Sequence, residues 1–191
     1  PLAPIKSSLE ILKLRDTTTD VREELDNIEH QFDHLAKLLG DLLDVTRFTQ
    51  AKIEITPHTV ELRKLVERSL KASDALMRAS DITLHFTYPS TLLPVWADDT
   101  RLEQAITNLM NNAAKFTPSG GSIWVNLSKE EGYAVLKIRD NGVGIEQVDL
   151  SNIFELYYKG NNNGNNASGL GIGLLLVHEI LRLHEGSVTA K

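Results

Sequence analysis

The chain has 191 residues, 41% of them hydrophobic and 24% charged, a balance that suits a globular protein able to bury a core and excludes disorder throughout. Its formal charge of -6 argues against a protein built to hold a nucleic-acid backbone, which needs a basic face. The lack of cysteine excludes disulfide frameworks, zinc–thiolate sites and cysteine nucleophiles and fits a cytoplasmic setting.

At the amino-terminal end Leu2, Ile5, Leu9 and Leu12 recur at three- and four-residue spacing, the apolar seam of a helix. The short polar run from Asp16 to Asp20 suits a turn and a helix cap, because such side chains compete with helical backbone bonds. A second helix is predicted to about residue 50, with Leu25, Ile28, Phe32, Leu35, Leu39 and Leu42 on one face. A two-helix hairpin has little interior of its own. A second copy would complete it as a four-helix bundle in a homodimer, and packing of both seams within one chain is the alternative that spacing leaves open. His30 and His34 are four residues apart on this helix, without a third ligand at metal-binding spacing, which favours solvated histidines. No apolar run approaches the roughly 20 residues that span a bilayer. The chain opens inside a helical pattern, so any membrane attachment is expected from a segment further upstream.

Pro57 marks a boundary, since proline removes a backbone donor and pushes its neighbour out of helical geometry. The division expected is 1–56 for the hairpin and 57–191 for a second domain. Beyond the boundary the pattern predicts a helix over 61–79, strands over 82–88 and 94–97, and a helix over 98–116. Two strands at 122–129 and 133–139, separated by Glu130, Glu131 and Gly132, read as a hairpin. A helix over 170–184 and a final strand from Ser187 follow. Helices with antiparallel strands in this order predict an α+β fold, a sheet covered on one face by helices.

Four segments carry possible chemistry. In Asn108 to Thr117, Asn108, Asn112 and Lys115 share a helix face. An amide oxygen is a hard donor suited to Mg²⁺, which takes one or two protein ligands and completes its shell with phosphate and water. Taken alone, the segment is also what an ordinary polar helix face looks like. In Asp140 to Ile145, an Asp-Asn-Gly turn with Gly142 and Gly144 ends an apolar strand. A carboxylate there accepts from an adenine amino group, whereas guanine offers a carbonyl at that place and leaves a buried acceptor unpaired, which costs about 1–3 kcal/mol. A plain turn aspartate fits the same residues. In Ser168 to Leu174, glycines 169, 171 and 173 precede an apolar helix, which favours phosphate at its N-terminus; the spacing is neither that of a P-loop nor that of a dinucleotide fingerprint. Between these last two segments, Gly160 to Gly169 holds five asparagines and three glycines among ten residues, a composition that suits a lid and equally a surface linker. Ile153, Phe154, Tyr157 and Tyr158 precede it, with Lys159 placed to reach phosphate.

In this order the segments resemble the N, G1, F and G2 boxes of sensor histidine kinases and of the wider gyrase, heat-shock chaperone and mismatch-repair ATPase superfamily. The resemblance implies ATP as substrate with Mg²⁺ held by Asn112. It implies Asn108, Lys115 and Phe116 beside the triphosphate, Asp140 as adenine reader, and Gly142, Gly144 and Ile145 as pocket wall. Tyr158, Lys159, Ser168, Gly169, Leu170, Gly171 and Gly173 would form the lid and its closing helix. Hydrolysing members of the superfamily carry a glutamate where this chain has Asn108, and an amide cannot act as the base that activates water. The resemblance therefore implies phosphoryl transfer rather than hydrolysis, with a hydrolysing clamp and a non-catalytic scaffold as the alternatives. The opening residues PLAPIKSSLEILKL resemble the continuation of the family's H box. The acceptor histidine is accordingly expected upstream of Pro1, its onward partner is a response-regulator receiver domain, and the 191 residues alone are expected not to autophosphorylate. One further sheet strand is expected beyond Lys191.

Overall fold

A computed structural model of the chain describes Ile5, Leu12 and residues 19–49, 54–158 and 170–191. The chain divides into two compact units, Pro1–Gln50 and Ala51–Lys191. In the first, α1 spans Thr19–Thr49, and Ile5 and Leu12 are helical. Leu25 is buried, but Ile28, Leu35, Leu39 and Leu42, at helical spacing on the same seam, keep from 36% to 52% of their surface exposed. The expected turn at 16–18, most of the first helix, and the side chains of His30 and His34 lie outside the described residues. Among the described residues no helix is long and apolar enough to cross a membrane.

The second unit begins with β1 (His58–Glu61), followed by α2 (Leu62–Ala79), β2 (Thr83–Thr87), β3 (Pro94–Ala97) and α3 (Asp99–Phe116). Then come β4 (Ser122–Glu130), β5 (Tyr133–Asp140) and α4 (Gly173–Leu183). Helix α2 forms because Leu62, Leu65, Val66, Leu70 and Met77 fall on one face and are all buried, with Ser69 and Ser73 filling the places between them. Ser73 Oγ donates to Asn111 Oδ1 of α3 at 3.2 Å, so the helix pair is joined by a polar contact as well as by packing. The helix stops where Asp81 enters the left-handed region at φ 51°.

Three strands form one sheet in the order β2-β4-β5, and β1 and β3 form a second, antiparallel pair. The turn between β4 and β5 consists of Glu131 and Gly132 with φ 49° and 92°, the two positive values that a type I′ hairpin needs, which places glycine at its second position. Alternation along β4 sends Ile123, Val125 and Leu127 into the core, where they meet Met110, Ala113 and Ala114 of α3 and the buried face of α2. The α+β class expected from the pattern holds.

Four details differ from the sequence reading. Strands β2 and β4 run parallel, not antiparallel, because β3 and α3 lie between them and give the chain room for a crossover. Strand β1 was not anticipated; it is four residues of mixed polarity, too short for alternation to register. The final strand from Ser187 is not formed, since residues 187–191 pair with no strand among the described residues and a strand exists only through its ladder. Helix α4 also starts three residues later than expected, because Gly171 sits at φ 69°, outside helical geometry.

Candidate functional site

Helix α3 is positioned at its start by Asp98, whose Oδ1 accepts from the Arg101 amide at 3.0 Å as an N-cap. Its middle turns inward. Asn108 is 7% exposed, among apolar neighbours on the buried face, and its Nδ2 is a buried donor with no hydrogen-bond partner among the described residues. Leaving such a group unpaired costs about 1–3 kcal/mol, which is a reason to look for a ligand. The three asparagines of the segment are not equivalent. Asn111 is occupied by Ser73, while Asn112 is half-buried and engaged in no hydrogen bond among the described residues. Further on, the exposed Lys115 places its ammonium 5.0 Å from the Phe116 ring centroid.

The aspartate turn docks on the C-terminal end of this same helix. The Gly142 amide donates to Asp140 Oδ1 at 2.9 Å, and the Val143 amide reaches the Phe116 carbonyl at 3.4 Å. A Cβ on residue 142 would lie 2.2 Å from that carbonyl oxygen and 2.7 Å from Asp140 Oδ1, so only glycine admits the approach. Gly144 has φ 73° and open space around it. Val143 and Ile145, 76% and 49% exposed, present apolar surface beside the turn.

Helix α4 brings the third segment to α3. A Cβ on Gly173, its first residue, would stand 3.8 Å from Asn108 Cγ and 4.0 Å from Nδ2. The orphaned amide therefore lies at a helix N-terminus whose first amides have no intrahelical acceptor. Gly171 packs against the backbone of Tyr157 and Tyr158, 2.7 Å from the Tyr158 carbonyl oxygen for a Cβ placed there. The Tyr158 hydroxyl is engaged elsewhere, donating to Asp149 Oδ1 at 2.6 Å, and this bond to the carboxylate pushes its pKa up. Leu170 is 36% exposed. Lys159, Ser168, Gly169 and the asparagine-rich stretch 160–169 lie outside the described residues.

Two residues that carry the arrangement were not singled out by sequence. Asp149, 5% exposed, holds Tyr158; its only signal is its place after the glycine turn. His184 caps α4, and its Nε2 accepts from the Asp98 amide at 2.9 Å. Asp98 is itself tied to the start of the second unit, accepting from the Thr56 amide at 3.0 Å. Burial raises the Asp98 pKa, but the Thr56 and Arg101 amides outweigh it and leave the carboxyl below its ordinary value.

The donor set fits a nucleotide triphosphate with a divalent cation. A buried amide donor beside a helix N-terminus suits phosphate oxygen, and the half-buried Asn112 supplies one hard oxygen on the same helix. Among the described residues no group of three or more His, Cys, Asp or Glu side chains could hold a metal ion.

Residues 97–191 match the family "Histidine kinase-, DNA gyrase B-, and HSP90-like ATPase", and residues 1–51 match the "His Kinase A (phospho-acceptor) domain". Sensor protein CreC of Escherichia coli (strain K12) is 35% identical over 192 residues, an alignment that covers all of this chain and 40% of that protein. The chain spans less than half the length of curated relatives such as this one. Among solved structures, a mycobacterial sensor histidine kinase, MprB, is 30% identical with a TM-score of 0.61, covering 70% of this chain and 84% of that one. Full-length ShkA in complex with AMPPNP shares the fold at TM-score 0.78 and 24% identity, over 96% of this chain and 38% of that one. With both family models matched and a 30%-identical sensor histidine kinase structure covered over 84% of its chain, the chain belongs to the sensor histidine kinases.

Proposed function

We propose that residues 57–191 bind ATP between the asparagine face of α3, the Asp140 turn and the N-terminus of α4, for transfer of the γ-phosphoryl group to a histidine. The observation that carries the reading is the buried Nδ2 of Asn108, without a hydrogen-bond partner among the described residues, near Gly173 at the start of α4. The Asp140 carboxylate, fixed by the Gly142 amide, accepts from the adenine amino group, and the turn glycines keep the wall thin enough for the base to approach. Asn108 and the free amides of α4 hold phosphate oxygens, while Lys115 neutralises their charge. Mg²⁺, held by Asn112 together with phosphate and water, would supply further charge neutralisation. Catalysis is then mainly positioning and electrostatics. Because Asn108 is an amide, it orients phosphate and takes no proton from water, which favours transfer over hydrolysis.

The phosphoryl group goes to a histidine and passes onward to an aspartate of a response-regulator receiver domain. The exposed seam Ile28, Leu35, Leu39 and Leu42 on α1 supports a homodimer through the hairpin, working on the cytoplasmic side of the membrane. Calorimetric titration of the chain with ATP and GTP, with and without Mg²⁺, tests the nucleotide reading. ATP is expected to bind at least about tenfold more tightly than GTP, the equivalent of roughly 1.4 kcal/mol for one unpaired buried acceptor. Equal affinities would remove Asp140 from the role of base reader.

A further inference from the structure

We propose that His184 is a positioning residue for this site, tying the C-terminal end of α4 to the N-cap of α3 so that the other end of α4 stays against Asn108. The inference rests on the nucleotide-binding role proposed above for Asn108 and Gly173.

The His184 ring is committed on both nitrogens. Nε2 lies 2.9 Å from the Asp98 amide, and Nδ1 lies 2.7 Å from the Ile180 carbonyl. An amide only donates and a carbonyl only accepts, so Nε2 offers its lone pair to the Asp98 amide and Nδ1 donates to the Ile180 carbonyl. Its anchor is itself held, because both carboxylate oxygens of Asp98 accept backbone amides, from Arg101 and Thr56.

Helices α3 and α4 thus meet at two rungs. One is Asp98 with His184, the other Asn108 with Gly173. Ten residues separate the rungs on α3 and eleven on α4, about 15 Å on each helix at 1.5 Å per residue. Between them Leu176, Val177 and Ile180 are fully buried. At the Gly173 rung only an added Cβ would reach contact distance of Asn108, and no hydrogen bond of the Asn108 Nδ2 holds that end among the described residues. The hydrogen bond at the other rung is directional, so His184 sets the axial register of α4, and a slide there changes the spacing at Asn108.

The test uses the 191-residue chain carrying His184→Gln, His184→Leu or His184→Asn. Glutamine can place an acceptor where Nε2 stands; asparagine reaches only the Nδ1 position, and leucine offers neither. Two quantities are read under conditions where circular dichroism reports a folded chain: ATP affinity with Mg²⁺, and amide exchange at Leu176 and Val177 without nucleotide. Leu and Asn variants are expected to bind ATP about tenfold more weakly with faster exchange, and the Gln variant to stay within about threefold of the parent. Should the Leu variant fail to fold, the comparison of Asn with Gln decides alone. A folded Leu or Asn variant with parental ATP affinity overturns the proposal, as does a Gln variant as weak as Leu. If the parent itself binds no ATP, the nucleotide reading is what fails; unchanged exchange in the Leu and Asn variants would then overturn the register role separately.

Discussion

Gly142→Ala is the substitution whose consequence the geometry fixes most tightly. The new Cβ would stand 2.2 Å from the Phe116 carbonyl oxygen, 2.7 Å from Asp140 Oδ1 and 2.8 Å from the Phe116 carbonyl carbon. Ordinary contacts need the turn and the end of α3 to separate by about 1 Å, and both groups it strikes are backbone or hydrogen-bonded, so neither swings aside cheaply. The move stretches the Val143 amide bond to Phe116 and the Gly142 amide bond to Asp140. Overpacking of this kind costs about 1–3 kcal/mol, which at this domain size lowers Tm by about 3 °C per kcal/mol. ATP affinity should fall as well, because the displaced carboxylate is the one proposed to read adenine. Gly144→Ala is the control: its Cβ meets nothing within 4 Å, and the strain comes only from φ 73°, about 1–2 kcal/mol without displacing the turn. Urea denaturation and calorimetry on both variants make the comparison. A Gly142→Ala chain with parental midpoint and parental ATP affinity would refute the docking of the turn on α3.

Asn108→Ala removes a buried donor that has no partner among the described residues, so the loss of packing is offset by relief of about 1–3 kcal/mol of unpaired-group penalty; nucleotide-free stability should change little in urea titrations while ATP affinity falls about tenfold. Asn112→Ala should abolish the increment that Mg²⁺ adds to ATP binding while leaving the Mg²⁺-free affinity near the parental value, as read by titration in chelator. For Asp98 the folded-state pKa is depressed below 3.8, so its stabilising contribution is complete above that ordinary value and is lost as pH falls through the lower folded value. Denaturation midpoints of the parent and of Asp98→Asn should therefore differ at neutral pH and converge below about pH 4; a constant gap down to acid pH would contradict the assignment.

Much of the fold follows from local pattern. The spacing of Leu62, Leu65, Val66 and Leu70 announces α2, and the alternation of Ile123, Val125 and Leu127 announces β4, because each reports which face is buried. The Glu131-Gly132 turn is legible because its backbone demands positive φ. Pairing partners are not local, and nothing in Thr83–Thr87 or Ser122–Glu130 says that these strands run parallel. Residues 187–191 have strand composition, but composition does not provide a ladder partner.

At the site, the motif residues were visible as chemistry-bearing types, whereas the division of labour among Asn108, Asn111 and Asn112 depends on which faces Ser73, which faces α4 and which makes no hydrogen bond among the described residues. His184 carries no motif because its role lies in two hydrogen bonds, one of them to an amide 86 residues away in sequence.

A titration of the ¹⁵N-labelled chain with ATP·Mg²⁺, followed by NMR, addresses convergence directly. The side-chain amides of Asn108 and Asn112, the backbone amides of Asn141 to Gly144 and those of Gly171 to Leu174 should all shift, and all should saturate along one binding curve. Shifts confined to one of these three segments, or curves with different dissociation constants, would contradict the account.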